Sequence, residues 1–372
     1  MGTFEIIEKH GEHEEVVFCY DKSVGLKAII AIHNTTLGPA LGGTRMWPYA
    51  NEDEALVDVL RLSKGMTYKA AASGLNLGGG KAVIIGNPKK DKSEALFRAF
   101  GQFVNSLNGR YITAEDVGTC VTDMEHIFME TPWVTGIPKD FGGSGDPSPY
   151  TAHGVLMGIK AAVQFQLGQD HLKDVRVAVQ GMGNVGYHLI GYLVNEGAKV
   201  VASDIDPDKV EKVRKAYPQV QIGDPGTILF NECEVLAPCA LGAVINDQTL
   251  PKLRCKIVAG GANNQLAESR HGDHLKEMGI LYAPDYVINA GGLMNVFVEL
   301  EGYSSERAFE KTKRVYDNCM RVFEMAKKEN IGTHVAADRV AESRIHSIGH
   351  LRKRHPGRSE RTFTTLREVF KR

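Results

Sequence analysis

The chain has 372 residues, 43% hydrophobic and 24% charged, with 44 Lys plus Arg against 45 Asp plus Glu. That length exceeds the roughly 250–300 residues at which a single hydrophobic core stops growing, so two domains are expected. The near-neutral balance offers no global electrostatic case for a nucleic-acid or membrane partner. No apolar run approaches the ~20 residues that span a bilayer, and the charged segment 1–15 lacks the apolar core of a signal peptide. A cytoplasmic protein is expected. The six cysteines (Cys19, Cys120, Cys233, Cys239, Cys255, Cys319) include no Cys-x-x-Cys pair, which favours reduced, mostly buried thiols over a metal site.

Taken in order, Val16–Tyr20 and Leu26–His33 read as strands joined by a turn, and 35–48, rich in Gly and Pro, as a loop. From about Asp53, Ala55, Leu56, Val59, Leu62 and Met66 form one helical face. Gly78-Gly79-Gly80 is expected to break the chain before a buried strand at Ala82–Ile85. Ser93 can cap a helix whose stripe is Leu96, Phe97, Phe100, Phe103 and Val104. After an Asn108-Gly109 turn, Tyr111–Thr113 is a short strand ending at Ala114-Glu115-Asp116. The Gly/Pro/Ser run between Phe141 and Pro149 suits an interdomain hinge.

Beyond the hinge, helices and strands alternate: helix 152–166, strand 175–179, helix 185–196, strand 200–203, helix 207–216, then strands near Val235, Ile257 and Leu281. Such alternation predicts a parallel sheet with helices on both faces. The last third is helical over 293–300, 305–328 and 336–346. The segment 352–372 carries eight Lys or Arg and two Glu, the mark of a solvated basic tail; a helix at 363–370 packing on another subunit is the alternative. The expected fold class is α/β in two domains: 1–147 plus about 330–372, and 148–329.

The strand ending at Gln180 runs into Gly181-Met182-Gly183-Asn184-Val185-Gly186. In this strand–turn–helix context a Gly-x-Gly-x-x-Gly reads as a dinucleotide site. Gly181 permits the tight turn, Gly183 lets backbone approach a pyrophosphate, and Gly186 lets helix and strand pack closely. The helix N-terminus offers free amides to the phosphates. About 20 residues on, Asp204 ends the next strand, where a carboxylate binds an adenosine ribose and repels a 2′-phosphate, favouring NAD over NADP. The competing reading is a Gly-rich turn followed by a helix-capping Asp.

A second constellation is Lys69, Lys81 and Asp116. Lys69 sits in an Ala-rich stretch, Lys81 follows the triple glycine, and Asp116 ends a strand. Two nearby, partly desolvated lysines would depress each other's pKa, and a lysine tuned towards neutrality can serve as a general base. Each residue taken alone also fits a surface Lys or a turn Asp, and spacing does not establish that the three converge.

Longer stretches decide between these readings. Leu37–Met46 (LGPALGGTRM), Gly65–Lys69 (GMTYK), Gly74–Lys81 (GLNLGGGK) and Arg110–Gly118 (RYITAEDVG) come first, followed by Ala237–Gly242 (APCALG), Ala262–Gln265 (ANNQ) and Ala283–Gly292 (APDYVINAGG). In this order they resemble the glutamate/leucine/phenylalanine/valine dehydrogenase family, the leucine dehydrogenases most, over roughly residues 1–345. The resemblance implies an N-terminal substrate domain, a C-terminal Rossmann domain, and a cleft between them that closes. The C-terminal helices would return to the first domain.

It also implies roles. Lys81 would be the catalytic base and Asp116 its proton-exchanging partner. Lys69, with backbone near Gly42 and Gly43, would hold the substrate carboxylate. Leu41, Ala114, Leu293 and Val296 would line the side-chain pocket. Thr151, the loop from Gly181 to Gly186 (with Met182, Asn184 and Val185), Asp204 and Asn263 would contact NAD. The implied reaction is reversible, NAD-dependent oxidative deamination of L-leucine and other branched-chain L-amino acids to 2-oxo acids, ammonia and NADH. Valine or phenylalanine as best substrate, or a non-catalytic nucleotide-binding regulator, are the alternatives. No metal is expected, and His271 and His274 read as isolated from other ligand types. A homo-oligomer, octameric by resemblance, is implied. The chain departs from the family pattern in the tail after about Leu351 and at Leu293, where leucine-acting members typically carry Val.

Overall fold

A computed structural model describes residues 2–240 and 242–354. The described residues fall into two units, one within Met1–Asp146, Val296–Ser305 and Ala341–Arg372, the other within Pro147–Asn295 and Glu306–Val340.

The first unit begins with α1 (Thr3–His10), β1 (Glu15–Asp21), β2 (Leu26–Asn34), β3 (Ala40–Leu41) and β4 (Thr44–Trp47). It continues with α2 (Glu52–Ala72), β5 (Gly78–Ile85), α3 (Glu94–Ser106), β6 (Tyr111–Ile112) and α4 (Val121–Phe128). Its sheet runs β1-β2-β5-β3-β6, with β4 also paired to β5. β1 and β2 are antiparallel, as are β2 and β5, whereas β3 and β4 run parallel to β5.

Three local expectations change here. The stretch 35–48 is not all loop, because β3 and β4 hydrogen-bond into the sheet; strands of two and four residues are too short to show alternation. The triple glycine does not break the chain but opens β5. A side chain at Gly78 would begin 2.1 Å from the Asn34 carbonyl, one at Gly79 2.1 Å from the Thr67 amide nitrogen, and one at Gly80 2.7 Å from the Tyr111 ring. Only glycine admits such close neighbours. For the same reason the buried face of α2 is Ala55, Leu56, Val59, Leu60, Ser63 and Thr67, while Leu62 and Met66 are only half-buried. Small polar groups fit against the bare strand where larger apolar ones do not. Ser93 caps α3 as expected, accepting from the Leu96 amide at 3.1 Å.

The second unit contains α5 (Ser148–Leu167), β7 (Arg176–Gln180), α6 (Asn184–Asn195), β8 (Lys199–Ser203), α7 (Pro207–Ala216) and β9 (Gln221–Ile222). Next come β10 (Cys233–Pro238), β11 (Cys255–Val258), α8 (Arg270–Glu277), β12 (Leu281–Tyr282) and α9 (Asp285–Ile288). The remaining helices are α10 (Gly291–Leu300), α11 (Ser305–Thr312), α12 (Arg314–Glu329) and α13 (Thr333–Arg354). The sheet is parallel in every pair and ordered β9-β8-β7-β10-β11-β12. Counted from β7, that is 3-2-1-4-5-6, the doubly wound dinucleotide-binding order. The strand order reverses direction at β7, and in a sheet of that order the right-handed crossovers that parallel strands take put helices on both faces.

The division between units lies at 146/147, inside the Gly/Pro/Ser run, but the C-terminal boundaries differ from the expected 148–329. Residues 296–305 belong to the first unit, where Glu299 accepts the amides of Gly136 and Ser144. Residues 330–340 stay with the second, held by Lys276 on the Asn330 carbonyl and by Tyr286 on Asp338. From 341 onward α13 joins the first unit, with Tyr68 donating to Glu342 and Arg344 to the Leu75 carbonyl. The helix expected over 305–328 is interrupted at Lys313. The basic tail beyond Arg354, with the helix at 363–370, lies outside the described residues. All six cysteines are free, four of them buried. Among the described residues no helix is long and apolar enough to cross a membrane.

Candidate functional site

In the first unit, Lys81 lies on β5 and is 5% exposed. Its Nζ is 3.0 Å from Oδ1 of Asp116. Asp116 follows β6 in a tight turn: its amide donates to Thr119 Oγ1 at 2.9 Å, and the Thr119 amide donates back to its carbonyl at 3.0 Å. Burial by itself would raise the Asp116 carboxyl, but the charges of Lys81 and Arg45 outweigh it and hold the group below the ordinary aspartate range. Arg45, on β4, places its Nε 3.0 Å from Oδ2 of Asp116 and its Nη1 2.9 Å from Oδ2 of Asp58. Tyr49 donates to the same Asp58 oxygen at 2.6 Å.

Lys69 is half-buried in the last turn of α2, two residues beyond Thr67, which fills the space left by Gly79. Gly42 and Gly43 wedge between β5 and the Asp116 turn. A side chain at Gly42 would begin 1.8 Å from the Gly80 carbonyl, and one at Gly43 2.8 Å from Cβ of Asp116. The Gly42 amide already donates to Ile112, and its carbonyl accepts from the Tyr111 hydroxyl at 2.6 Å. Leu41 and Ala114 are buried beside them. Val296 is half-buried in the first unit, and Leu293 is buried in the second.

In the second unit the three glycines of the loop differ in their surroundings. Gly181 has φ +97°, a conformation that favours glycine. Nothing lies within 4 Å of where a Gly183 side chain would begin, whereas one at Gly186 would start 2.0 Å from the Gly181 carbonyl. α6 therefore packs hard on the turn, and its N-terminus, without a side-chain cap, borders open space at Gly183. Met182 is buried, Val185 half-buried and Asn184 exposed. Asp204 is not the cap of α7; Asp206 is, through the Asp208 amide. Asp204 instead accepts the Met182 amide at 2.7 Å and the Asp206 amide at 2.9 Å. It shapes the glycine loop itself.

Thr151 turns its hydroxyl back to the Pro147 carbonyl at 3.0 Å. Asn263 follows β11, and its Oδ1 accepts from Asn289 at 2.7 Å. Buried Gln265 braces the same loop through the Gly260 and Ala262 carbonyls. Because the sheet is parallel, the loops after β7, β8, β10 and β11 all leave its carboxyl edge, where open α/β sheets bind ligands. A bare loop with an open Gly183, an uncapped helix start and a carboxylate at the end of the second strand fits a dinucleotide.

Sequence reading missed Arg45, Asp58 and Tyr49. Arg45 stands inside a quoted stretch but had no role, and Asp58 looks like any charged residue on a surface helix. The isolation expected of His271 is not found. Its ring Nε2 is 3.2 Å from Asp247, and it groups with Asp247 and Glu268, whose carboxylates Arg270 engages at 2.6 and 2.8 Å.

Residues 13–133 match the family profile described as Glu/Leu/Phe/Val dehydrogenase, dimerisation domain. Residues 142–206 and 203–352 match the one described as Glutamate/Leucine/Phenylalanine/Valine dehydrogenase. The chain is 59% identical over 348 residues to a leucine dehydrogenase of Geobacillus stearothermophilus, 94% of each chain being covered. It is 51% identical over 347 residues to a phenylalanine dehydrogenase of Caldalkalibacillus thermarum, covering 92% of this chain and 93% of that one. The crystal structure of L-tryptophan dehydrogenase from Nostoc punctiforme superposes with a TM-score of 0.82 at 46% identity, covering 93% of this chain and 99% of the other.

Proposed function

The chain belongs to the Glu/Leu/Phe/Val dehydrogenase family, and from that premise we propose that it catalyses reversible, NAD-dependent oxidative deamination of L-leucine and other branched-chain L-amino acids. The observation that carries the chemical part is the contact between buried Lys81 and half-buried Asp116 at 3.0 Å. A non-catalytic nucleotide sensor has no use for such a pair.

The work divides between the units. In the first, Lys69 holds the substrate carboxylate, with the backbone around Gly42 and Gly43 bounding the space. Leu41, Ala114 and Val296 face the substrate side chain, a role the family resemblance extends to Leu293 of the second unit, and exclude charged ones, since burying an unpaired charge is costly. In the second, the loop Gly181–Gly186, Asp204, Thr151 and Asn263 hold NAD. When bound, NAD supplies the hydride acceptor. The residues of this chain then manage protons. Lys81, as the neutral amine left once its ammonium has released a proton to solvent, takes a proton from the water that adds to the imine carbon of the oxidised substrate. Asp116, 3.0 Å away, passes that proton on to the nitrogen, Lys81 takes the hydroxyl proton of the carbinolamine as its C–N bond breaks, and ammonia leaves with the 2-oxo acid. Fixed charges aimed at developing charge supply much of such a rate enhancement.

A second reading keeps the reaction and changes the substrate. Leu293, and a phenylalanine dehydrogenase at 51% identity, favour testing valine and phenylalanine beside leucine. The deciding experiment is NADH production over a panel of L-amino acids, first with NAD and then with NADP. Leucine or another branched-chain substrate should lead with NAD; phenylalanine in first place would displace the side-chain assignment. The reading includes a cytoplasmic homo-oligomer. Edge strand β1 leaves Phe18 and Tyr20 55% and 62% exposed, which suits a contact with a second copy, and light scattering would report the mass.

A further inference from the structure

Four charges alternate along one line: the Lys81 ammonium, the Asp116 carboxylate, the Arg45 guanidinium and the Asp58 carboxylate. The line ends at the Tyr49 hydroxyl, 2.6 Å from Asp58. Each Asp116 oxygen has its own cation, Oδ1 with Lys81 and Oδ2 with Arg45, both at 3.0 Å. Arg45 reaches two carboxylates with two different nitrogens, a fork that a lysine does not reproduce. Its backbone is fixed as well, since β4 pairs in register with β5, Thr44 opposite Ala82 and Arg45 opposite Val83. Arg45 and Lys81 thus issue from two adjacent strands and meet on one carboxylate.

We propose that Arg45 is a positioning residue for the proton-exchanging Asp116, with Asp58 and Tyr49 fixing Arg45. The inference rests on the functional reading above and adds residues to it. Arg45 turns the carboxylate so that Oδ1 meets Lys81, and it keeps that carboxylate ionised in a partly desolvated setting. Burial and the neighbouring Asp58 hold Tyr49 well above the usual tyrosine range, so its hydroxyl remains a donor throughout the working pH. Arg45 also lines a surface depression of about 390 Å³ together with Trp47, Tyr49, Asp58 and Arg61. A small cation can enter there from solvent.

The test compares wild type with Arg45→Gln, Arg45→Lys and Arg45→Ala. In Arg45→Gln, kcat should fall about 10²-fold, as misplaced catalytic groups do, with the KM for NAD little changed. Asp116 loses one of two cations, so its pKa rises and the acid limb of the kcat–pH profile should move up by about one unit. Arg45→Lys should return that limb towards wild type while restoring only part of kcat, separating charge from orientation. Guanidinium ion added at millimolar concentration should recover part of the Arg45→Ala turnover. Profiles that superimpose on wild type would overturn the inference. The Asp116 carboxyl titration, read by isotope-edited infrared spectroscopy, is independent of turnover. An unmoved Asp116 signal in Arg45→Gln overturns the positioning role, whereas a moved signal in a protein that oxidises no amino acid overturns only the proposed reaction.

Discussion

Replacing Asp204 should do more than change cofactor preference. Its side chain is 9% exposed and accepts two backbone amides, from Met182 at 2.7 Å and Asp206 at 2.9 Å. Water can replace the carboxylate at Asp206, which lies at the start of an exposed helix, but less readily at Met182, which is 2% exposed. A hydrogen bond to a charged group contributes about 1.5–3 kcal/mol, so Asp204→Ala should weaken NADH binding by roughly 10–150-fold as the glycine loop loses its brace. Asp204→Asn keeps an acceptor and removes the charge. It should therefore lose less affinity for NADH while the NADP-to-NAD ratio of kcat/KM rises at least about tenfold, because the 2′-phosphate no longer meets a like charge. The assays are NADH fluorescence titration and initial rates with both cofactors. Unaltered NADH affinity in Asp204→Ala would refute the bracing role. An unchanged cofactor ratio in Asp204→Asn would remove the residue from the ribose site.

Lys81→Ala should lower kcat by about 10²–10⁴-fold, the range for loss of a general base, with NADH affinity retained; turnover within a few-fold of wild type would take Lys81 out of the reaction. His33 is pushed down to about 4, first by burial and then by His13 and Lys64, and His13 is lowered by burial. The unfolded chain binds these protons more readily, so the stability they contribute is present above about pH 6.5 and is lost as pH falls towards 4. Urea midpoints should drop between pH 6.5 and 5, and His33→Gln should flatten that slope. Leu293→Val should change the leucine-to-valine ratio of kcat/KM by about 1–3 kcal/mol, the worth of one methylene; an unchanged ratio would place Leu293 outside the pocket.

What the sequence determined by itself was whatever neighbouring residues decide among themselves. The turn at Gly181, the cap at Ser93 and the strand–helix alternation after the hinge follow from dihedral freedom, side-chain capping and hydrophobic period over a few residues. They sufficed for a parallel sheet and a nucleotide loop. Long, ordered stretches then carried the family. The order of the strands, the entry of β3 and β4 into the first sheet, and the burial of Ser63 and Thr67 in place of Leu62 and Met66 were decided by the tertiary structure, because each depends on a partner far away in the chain. The triple glycine is the clearest case. Locally it signals a break, yet the backbones packed against it make it the opening of a central strand. The site follows the same rule. Lys81 and Asp116 could be named one by one, but their 3.0 Å contact and the chain of charges through Arg45 to Asp58 join residues separated by 35, 71 and 13 positions. No local period encodes such distances; the pairing of β4 with β5, the bridge between Thr44 and Glu115 and the packing of α2 bring those side chains into reach.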